Sequence, residues 1–191
     1  VDELLHGLAQ YAPIPKWGAA FGARAFKIAR DAQGVRLTYL KVTGGTLRVK
    51  TMLSSRRSEL EEADWEEKID QIRIYSGTKY QTVEEAPAGT VCAVTGLSRT
   101  VPGEGFGFDT DWTTPVLEPV LTYQVCLPND VDPHTALQVL RQLEEEDPAL
   151  HVVWKERLRE IHVQLMGEVQ LEILQRMLQE RFGLTVTFGA G

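Results

Sequence analysis

Short runs of alternating hydrophobic and polar residues, separated by glycines, make up the chain from residue 21 to about residue 97. The alternation is clearest in residues 25–30 and 35–42, and Asp31-Ala32-Gln33-Gly34 between them has the composition of a hairpin turn. Residues 69–74 and 90–94 are further strand-like runs. Because short strands with glycine turns and no helical period are typical of closed sheets, this region predicts a β-barrel.

The pattern changes after residue 120 to strands that alternate with helices. Residues 120–127, 151–154, 161–166 and 184–188 predict four strands. A first helix is predicted to begin at Asp132 as the N-cap, with Pro133 in the first helical position and an apolar face formed by Leu137, Leu140 and Leu143. The order β-α-β-β-α-β predicts an α+β domain of the ferredoxin-like type.

The second predicted helix begins at Gly167 and ends at Gly183, a typical C-terminal glycine. Its helical period predicts that five apolar residues point inward, namely Val169, Ile173, Leu174, Met177 and Leu178.

The ends of these patterns predict the domain organisation. Residues 1–9 fit a short helix, because Leu4, Leu5 and Leu8 share one face, and Pro13 and Pro15 end it. Residues 98–119 are rich in glycine and proline and predict a loop that separates two domains. We therefore expect a helix and linker in residues 1–15, a barrel domain in 16–115 and a ferredoxin-like domain in 116–191.

Composition places the chain among ordinary globular proteins. Of its 191 residues, 43% are hydrophobic and 25% are charged, and the formal net charge of −7 excludes a uniformly basic nucleic-acid binder. No apolar run approaches the roughly 18 residues that a membrane span needs. Two cysteines cannot form a disulfide framework, which favours a reducing cytoplasm. With no initiator methionine, we expect a piece of a longer protein.

Positive charge is nevertheless concentrated in one region. Residues 16–57 contain ten lysines and arginines against a single acid, Asp31, whereas residues 58–70 contain seven acids against Lys68 alone. The basic stretch indicates a surface that faces a polyanion. The alternative is a solvated sheet face that is balanced by the neighbouring acidic loop.

No catalytic or metal-binding constellation is recognisable. The dipeptide Gly-Lys of phosphate-binding loops is absent, and the glycines of residues 103–108 fail the dinucleotide fingerprint because the sixth position is Phe108. The four histidines and two cysteines lack zinc spacing, so Cys92 and Cys126 are interpreted as core thiols. The acids of residues 144–147 are typical of a solvated run. We therefore expect no catalytic residue, metal ligand or cofactor in this chain.

Four segments, in order, resemble motifs of translational GTPases. In the barrel these are Lys41-Val42-Thr43-Gly44-Gly45-Thr46-Leu47-Arg48 and Ala86-Pro87-Ala88-Gly89-Thr90-Val91-Cys92-Ala93-Val94-Thr95-Gly96-Leu97. In the second domain, Leu143-Glu144-Glu145-Glu146-Asp147-Pro148 and Gly167-Glu168-Val169-Gln170-Leu171-Glu172-Ile173 are similar to a helix end and a helix start of elongation factor G. The resemblance covers nearly the whole chain.

The departures from elongation factor G indicate a particular branch. The family usually has His where this chain has Gln170, Tyr-Ser where it has Thr43-Gly44, and Gly where it has Lys50. Gln170 and Lys50 look more like the ribosomal protection proteins that confer tetracycline resistance, although Thr43 and Gly44 match neither branch well. A divergent member of that branch is the first interpretation, and an elongation factor G paralogue is the second.

The resemblance implies a function for the parent protein. A GTPase domain that uses GTP and magnesium would precede the barrel, and the parent would bind the ribosome in the cytoplasm. The barrel would contact small-subunit RNA and the next domain a small-subunit protein. The chain itself would hold neither GTP nor magnesium. The competing classes are a non-ribosomal binding module and a metabolic enzyme that uses the acidic second domain.

The basic barrel loop supplies the candidate RNA contacts. Glycines let a backbone approach a phosphate closely, and in strand geometry Arg48 and Lys50 would share one face. The alternative is that Gly44-Gly45 is only a hairpin turn. The candidates are Lys41, Thr43, Gly44, Gly45, Thr46, Arg48 and Lys50, and the family-motif residues of the second domain are Gly167, Glu168, Gln170 and Glu172.

Overall fold

The computed structural model describes residues 2–12, 15–54, 65–110, 120–147 and 149–190. Its elements form two compact units. The first unit contains α1 (Asp2–Tyr11), most of β1 (Gly22–Arg30), β2 (Arg36–Gly44), β3 (Thr46–Arg48), β4 (Met52–Ser54), β5 (Glu66–Lys68), β6 (Gln71–Ser76), β7 (Lys79–Val83), β8 (Glu85–Pro87), β9 (Val91–Thr95) and β10 (Gly105–Gly107). The second contains β11 (Leu121–Cys126), α2 (Pro133–Glu146), β12 (His151–Lys155), β13 (Glu160–Leu165), α3 (Glu168–Phe182) and β14 (Thr187–Ala190).

The first unit is the expected barrel. A six-stranded sheet has the order β10-β1-β2-β9-β6-β7, and β3-β8 and β4-β5 form two short ribbons. Leu40, Ile72 and Val94 of the large sheet share one buried cluster with Leu47 and Leu53 of the ribbons. The three sheets therefore enclose a single core, which burial of apolar surface stabilises.

The predicted turn between β1 and β2 is confirmed. Asp31 accepts hydrogen bonds through Oδ1 from the amides of Gln33 and Val35, at 3.0 and 2.9 Å. Gly34 has a φ of +79°, a conformation that glycine adopts without steric cost. The other carboxylate oxygen of Asp31 binds the Arg73 guanidinium at 2.9 Å, which fastens the turn to β6 and lowers the pKa of Asp31.

Two details of the barrel differ from the sequence prediction. Residues 98–119 are not loop throughout, because β10 pairs with β1 and buries Phe106. A three-residue strand is too short to show an alternating pattern. The predicted strand 69–74 begins two residues later than expected, at Gln71 in β6, because residues 69 and 70 lie between β5 and β6.

Several predicted features lie outside the described residues. They are Pro13, Arg56 and Arg57 of the basic stretch, the acids of residues 58–64, the proposed boundary at 115–116, and Pro148 of the third motif.

The second unit has the expected β-α-β-β-α-β order. Its antiparallel sheet has the order β12-β13-β11-β14. One sheet face and both helices bury a separate cluster that includes Val152, Ile161, Val163, Leu140 and Leu174. The last strand begins three residues later than predicted, at residue 187 instead of 184.

The caps of both helices in the second unit are confirmed. The Asp132 carboxylate accepts a hydrogen bond from the Thr135 amide at 3.0 Å, and Pro133 is the first residue of α2. At the end of α3, Gly183 has a φ of +65° and its amide donates to the Gln179 carbonyl. These contacts satisfy backbone groups that have no partner inside a helix.

The apolar faces of α2 and α3 are only partly as predicted. In α2, Leu140 and Leu143 are buried with Ala136, while Leu137 lies at the edge of the core. The prediction for α3 is wrong at two positions, since Val169 is 72% exposed and Ile173 is 53% exposed.

The N-terminal helix α1 extends to Tyr11, two residues beyond the prediction, and none of its residues is buried. Its face of Leu4, Leu5 and Leu8 is exposed. Within the described ranges, no helix combines the length and apolar character needed to cross a membrane.

Candidate nucleic-acid interface

The candidate RNA contacts lie where the chain leaves the large sheet for a ribbon. Strand β2 ends at Gly44 and pairs with β9, whereas β3 begins at Thr46 and pairs with β8. Gly44-Gly45 is therefore not a hairpin turn, because the strands on its two sides do not pair with each other.

Gly44 and Gly45 lie close to another segment of the same chain, residues 18–20. A Cβ on Gly44 would lie 2.5 Å from the carbonyl oxygen of Ala20. Gly45 has a φ of +59° and donates its amide to the Gly18 carbonyl at 2.9 Å. Packing against residues 18–20 therefore requires both glycines and accounts for them without a phosphate.

Lys41 and Thr43 are tied to neighbouring loops. The Lys41 ammonium donates to the Gly89 carbonyl at 2.5 Å and lies 5.6 Å from the centre of the Trp17 ring. The Thr43 hydroxyl donates to Asp109 at 3.0 Å, and Asp109 also binds Arg24. Of these side chains, Thr43 has a structural role in holding β2 to the segment after β10.

Arg48 and Lys50 are the most accessible cations of the predicted set. Their side chains are 72% and 64% exposed, and they meet Glu85 and Asp70 at 3.3 and 3.9 Å. Exposed ion pairs contribute about 0–1 kcal/mol, so either cation can exchange its partner for a phosphate at little cost.

The predicted strand geometry of Arg48 and Lys50 ends before Lys50. Strand β3 ends at Arg48, and Lys50 follows in a turn with a φ of +71°. Its amide donates to the Ile69 carbonyl at 2.9 Å. The two-residue alternation of a strand therefore does not apply to Lys50.

Other arginines of the basic stretch hold the barrel together. Arg36 donates to the carbonyls of Leu97 and Thr100 at 2.8 and 2.5 Å, and Arg24 binds Asp109. Among the described residues of this stretch, the exposed cations are Lys16, Lys27, Arg48 and Lys50. A count of basic residues cannot distinguish the structural arginines from the exposed cations, because the sequence does not show which guanidinium hydrogen-bonds to a backbone carbonyl.

In the second unit, the two family motifs meet through one side chain. Gln170 accepts a hydrogen bond from the Met166 amide at 2.9 Å and donates to the Asp147 carboxylate at 3.2 Å. Asp147 caps α2, and Gln170 lies in the first turn of α3. These residues therefore connect the end of one helix to the start of the other.

The other motif residues have simpler positions. Gly167 precedes α3 in an extended conformation that any residue can adopt. Glu168 lies in the first helical turn, where the helix dipole favours a negative charge, and Glu172 is exposed.

The acids at the end of α2 are more than a solvated run. Glu144 accepts a hydrogen bond from the Val152 amide at 2.9 Å, and both oxygens of Glu146 bind Arg181 at 2.7 and 2.8 Å. The second contact links α2 to α3 and has no signal in the sequence. No group of three or more potential metal ligands is assembled in the described parts of the chain.

Of the two predicted core thiols, Cys92 is confirmed, whereas Cys126 is half-buried and belongs to neither core cluster. Cys92 is buried in the barrel core, and burial raises the pKa of its thiol to about 11. His162 is buried with Nε2 3.0 Å from Glu160, and the His134 ring lies 5.4 Å from that of Trp154. These surroundings give the residues no arrangement typical of a nucleophile with its base.

Comparison with known protein families assigns both units. The family described as elongation factor G domain 2 matches residues 20–106, and that described as elongation factor G, domain III, matches residues 116–190. The two matches follow one another without overlap and together cover most of the chain.

Three curated relatives match over most of this chain. The tetracycline resistance protein TetP of Clostridium perfringens is 27% identical over 98% of the chain, which spans 29% of that protein. Elongation factor G of Ureaplasma parvum serovar 3 is 29% identical over 89% of the chain, which spans 25% of it. Elongation factor 2 of Pyrococcus furiosus is 32% identical over 84% of the chain, which spans 22% of it.

A solved structure from Thermus thermophilus has the same fold. It superposes with a TM-score of 0.77 over 98% of this chain and 28% of its own, at 23% identity. The order of a barrel and a ferredoxin-like unit, the two matching domain families and these relatives agree. The chain belongs to the elongation factor G family of translational GTPases, of which it carries the second and third domains.

Proposed function

We propose that this chain is a ribosome-binding part of a translational GTPase of the ribosomal protection branch. The observation that carries the proposal is the similarity to TetP over 98% of the chain, through both domains. The parent protein would bind and hydrolyse GTP with magnesium in an adjacent GTPase domain and would act in the cytoplasm. The two domains described here would contribute binding surface and no chemistry of their own.

The proposed contacts are with the small ribosomal subunit. Arg48 and Lys50 present accessible positive charge at the end of β3, and RNA is a dense polyanion that such residues bind through its phosphates. Lys41, Thr43, Gly44, Gly45 and Thr46 would position this surface from β2 and β3. The second domain would contact a small-subunit protein.

The test reverses the two accessible charges in the full-length parent protein. We expect Arg48→Glu with Lys50→Glu to weaken binding to small subunits in pelleting assays, because repulsion from phosphate replaces attraction. Each lost phosphate contact should also reduce the slope of log affinity against log salt concentration by about one unit.

The matched control carries the same change of charge elsewhere. Lys155→Glu at the end of β12 with Arg157→Glu between β12 and β13 alters two exposed residues of the same types and spacing. This pair should bind nearly as well as the unmutated protein. If both pairs bind equally with the same salt dependence, the RNA contact at Arg48 and Lys50 is refuted.

A second candidate function is translocation by an elongation factor G paralogue. It is favoured by the 29% and 32% identities to elongation factors G and 2, which are no lower than the identity to TetP. Expression of the parent gene separates the two functions. A protection protein would raise the tetracycline concentration that cells tolerate, whereas a translocase would restore growth when elongation factor G is depleted.

A further inference from the structure

A row of aromatic side chains crosses the six-stranded sheet of the barrel. The ring centres of Phe26 and Tyr39 are 6.2 Å apart, those of Tyr39 and Tyr75 5.8 Å, and those of Tyr75 and Tyr80 5.2 Å. The four rings come from β1, β2, β6 and β7. Neighbouring rings are therefore in contact across the sheet.

Strand register places this row on the outer face of the barrel. Tyr39 pairs with Ala93 and Ala93 pairs with Arg73, so these three residues share one face. The residues next to them in sequence, among them Leu40 and Ile72, belong to the buried core. Tyr75 lies two residues beyond Arg73 and pairs with Tyr80, which puts both tyrosines on the outer face.

Arg73 packs beneath one end of this row, against the Tyr80 ring. Its guanidinium carbon lies 4.5 Å from the centre of the Tyr80 ring, while one of its nitrogens binds Asp31. Its side chain is 8% exposed, so the ion pair fixes the guanidinium beneath the rings. A buried guanidinium held in this way fixes the Tyr80 ring, and the exposed part of that ring can stack on a further flat group.

Cross-strand packing explains the inner rings but not the outer ones. Tyr39 and Tyr75 are half-buried and stabilise the sheet as neighbouring aromatic pairs do. Phe26 and Tyr80, at the two ends of the row, are 50% and 48% exposed, and Val91 on the same face is 48% exposed. Contiguous apolar surface of this kind marks a binding surface more often than scattered single residues do.

The charge of this face favours an anionic partner. Asp31 forms an ion pair with Arg73, whereas Lys41, two residues beyond Tyr39 on β2, donates to the Gly89 carbonyl oxygen and not to an acid. Aromatic rings and a cation on one face are the combination that binds single-stranded nucleic acid, because every base has a face that can stack and a phosphate beside it.

We propose that this surface, the aromatic platform of Phe26, Tyr39, Tyr75 and Tyr80, binds unpaired bases of ribosomal RNA. This inference rests on the proposed function in one respect, since the proposed function identifies the RNA as ribosomal. It is separate from the charge contact of Arg48 and Lys50, since stacking supplies the affinity here and phosphate attraction supplies it there.

The test measures binding of a labelled single-stranded oligoribonucleotide of about ten nucleotides to the full 191-residue chain by fluorescence anisotropy. Tyr80→Ala should weaken binding by about fivefold or more, because loss of one stacking ring typically costs about a factor of five to one hundred. Phe26→Ala, on another strand, should act in the same direction. Tyr80→Phe keeps the ring and should bind within about twofold of the unmutated chain.

Two controls separate stacking from other causes. Tyr11→Ala removes a ring that is 80% exposed on α1 and should leave oligoribonucleotide binding unchanged. A duplex RNA of the same length has no unpaired bases, so its binding should not respond to Tyr80→Ala. Circular dichroism of each variant establishes that the sheet is intact.

The outcomes are distinct from those of the charge-reversal test. Absence of oligoribonucleotide binding, or equal binding by Tyr80→Ala, Phe26→Ala and the unmutated chain, would overturn the platform even if small-subunit binding depends on Arg48 and Lys50. Loss of small-subunit binding by Tyr80→Ala without any oligoribonucleotide binding would assign the face to a protein partner, and this too would overturn the proposal.

Discussion

At the scale of single residues, Lys50 occupies a backbone conformation that suits glycine better. Its φ is +71°, in the left-handed region that costs a residue with a Cβ roughly 1–2 kcal/mol. The conformation is maintained because the Lys50 amide binds the Ile69 carbonyl. The glycine that the family usually has here therefore has a geometric reason, and the lysine adds charge at the expense of backbone strain.

We expect Lys50→Gly to stabilise the barrel by about 0.5–1 kcal/mol, the gain that remains after the greater chain entropy of glycine is subtracted. Urea denaturation measures the effect. Lys50→Ala is the matched control, since it removes the same weak ion pair but keeps a Cβ. Equal unfolding free energies for the Gly and Ala variants would contradict the left-handed conformation.

At the scale of elements, helix α3 carries two apolar stripes, and only one contributes to the core of the second unit. Leu174 and Leu178 are buried, whereas Val169 and Ile173 are exposed. Successive residues of a helix are about 100° apart, so Ile173 and Leu174 can point to different surroundings although they are adjacent in sequence. Because both stripes are apolar, the sequence pattern predicted a single wide face that is buried throughout.

The two stripes should differ sharply in their effect on stability. We expect Leu174→Ala to lower the free energy of unfolding by about 2–5 kcal/mol, because it leaves a cavity in the core. Ile173→Ala, a similar truncation in the same turn, should cost less than about 1 kcal/mol. Denaturant melts of both variants give the comparison, and similar losses for the two would mean that the helix face is assigned incorrectly.

At the scale of the whole chain, two separate hydrophobic cores stabilise the fold. The sequence contains no phosphate-binding loop motif. One core lies in the barrel and the other between the sheet and helices of the second unit. The chain spans less than a third of each relative described above, and the Gly-Lys-Ser/Thr sequence of a phosphate-binding loop does not occur in it.

We expect the 191-residue chain to show no saturable binding of GTP and no hydrolysis. A phosphate cradle needs a glycine-rich loop and a lysine that this chain lacks. Isothermal titration with GTP and magnesium measures the binding, and the full-length parent protein is the positive control. Specific, magnesium-dependent heat from the chain alone would show that a nucleotide site exists outside the known motif.

Local chemistry determined much of this protein directly. The turn at Asp31 and Gly34, the cap at Asp132 and the helix end at Gly183 depend on contacts within a few residues, and all three are confirmed. The element order of the second unit follows from hydrophobic periodicity in the same way. The four motifs, read in order, were sufficient to identify the family.

Only the tertiary structure decided which residues serve the fold and which face outward. The hydrogen-bond partners of Arg36, Gln170 and Arg181 lie far away in the sequence, so no local sequence pattern predicts these contacts. Gly44 is required by residues 18–20, which packing brings beside it, and the aromatic platform exists because strand pairing aligns residues from four strands. Sequence periodicity reports the environment along one element, whereas these contacts depend on which elements become neighbours.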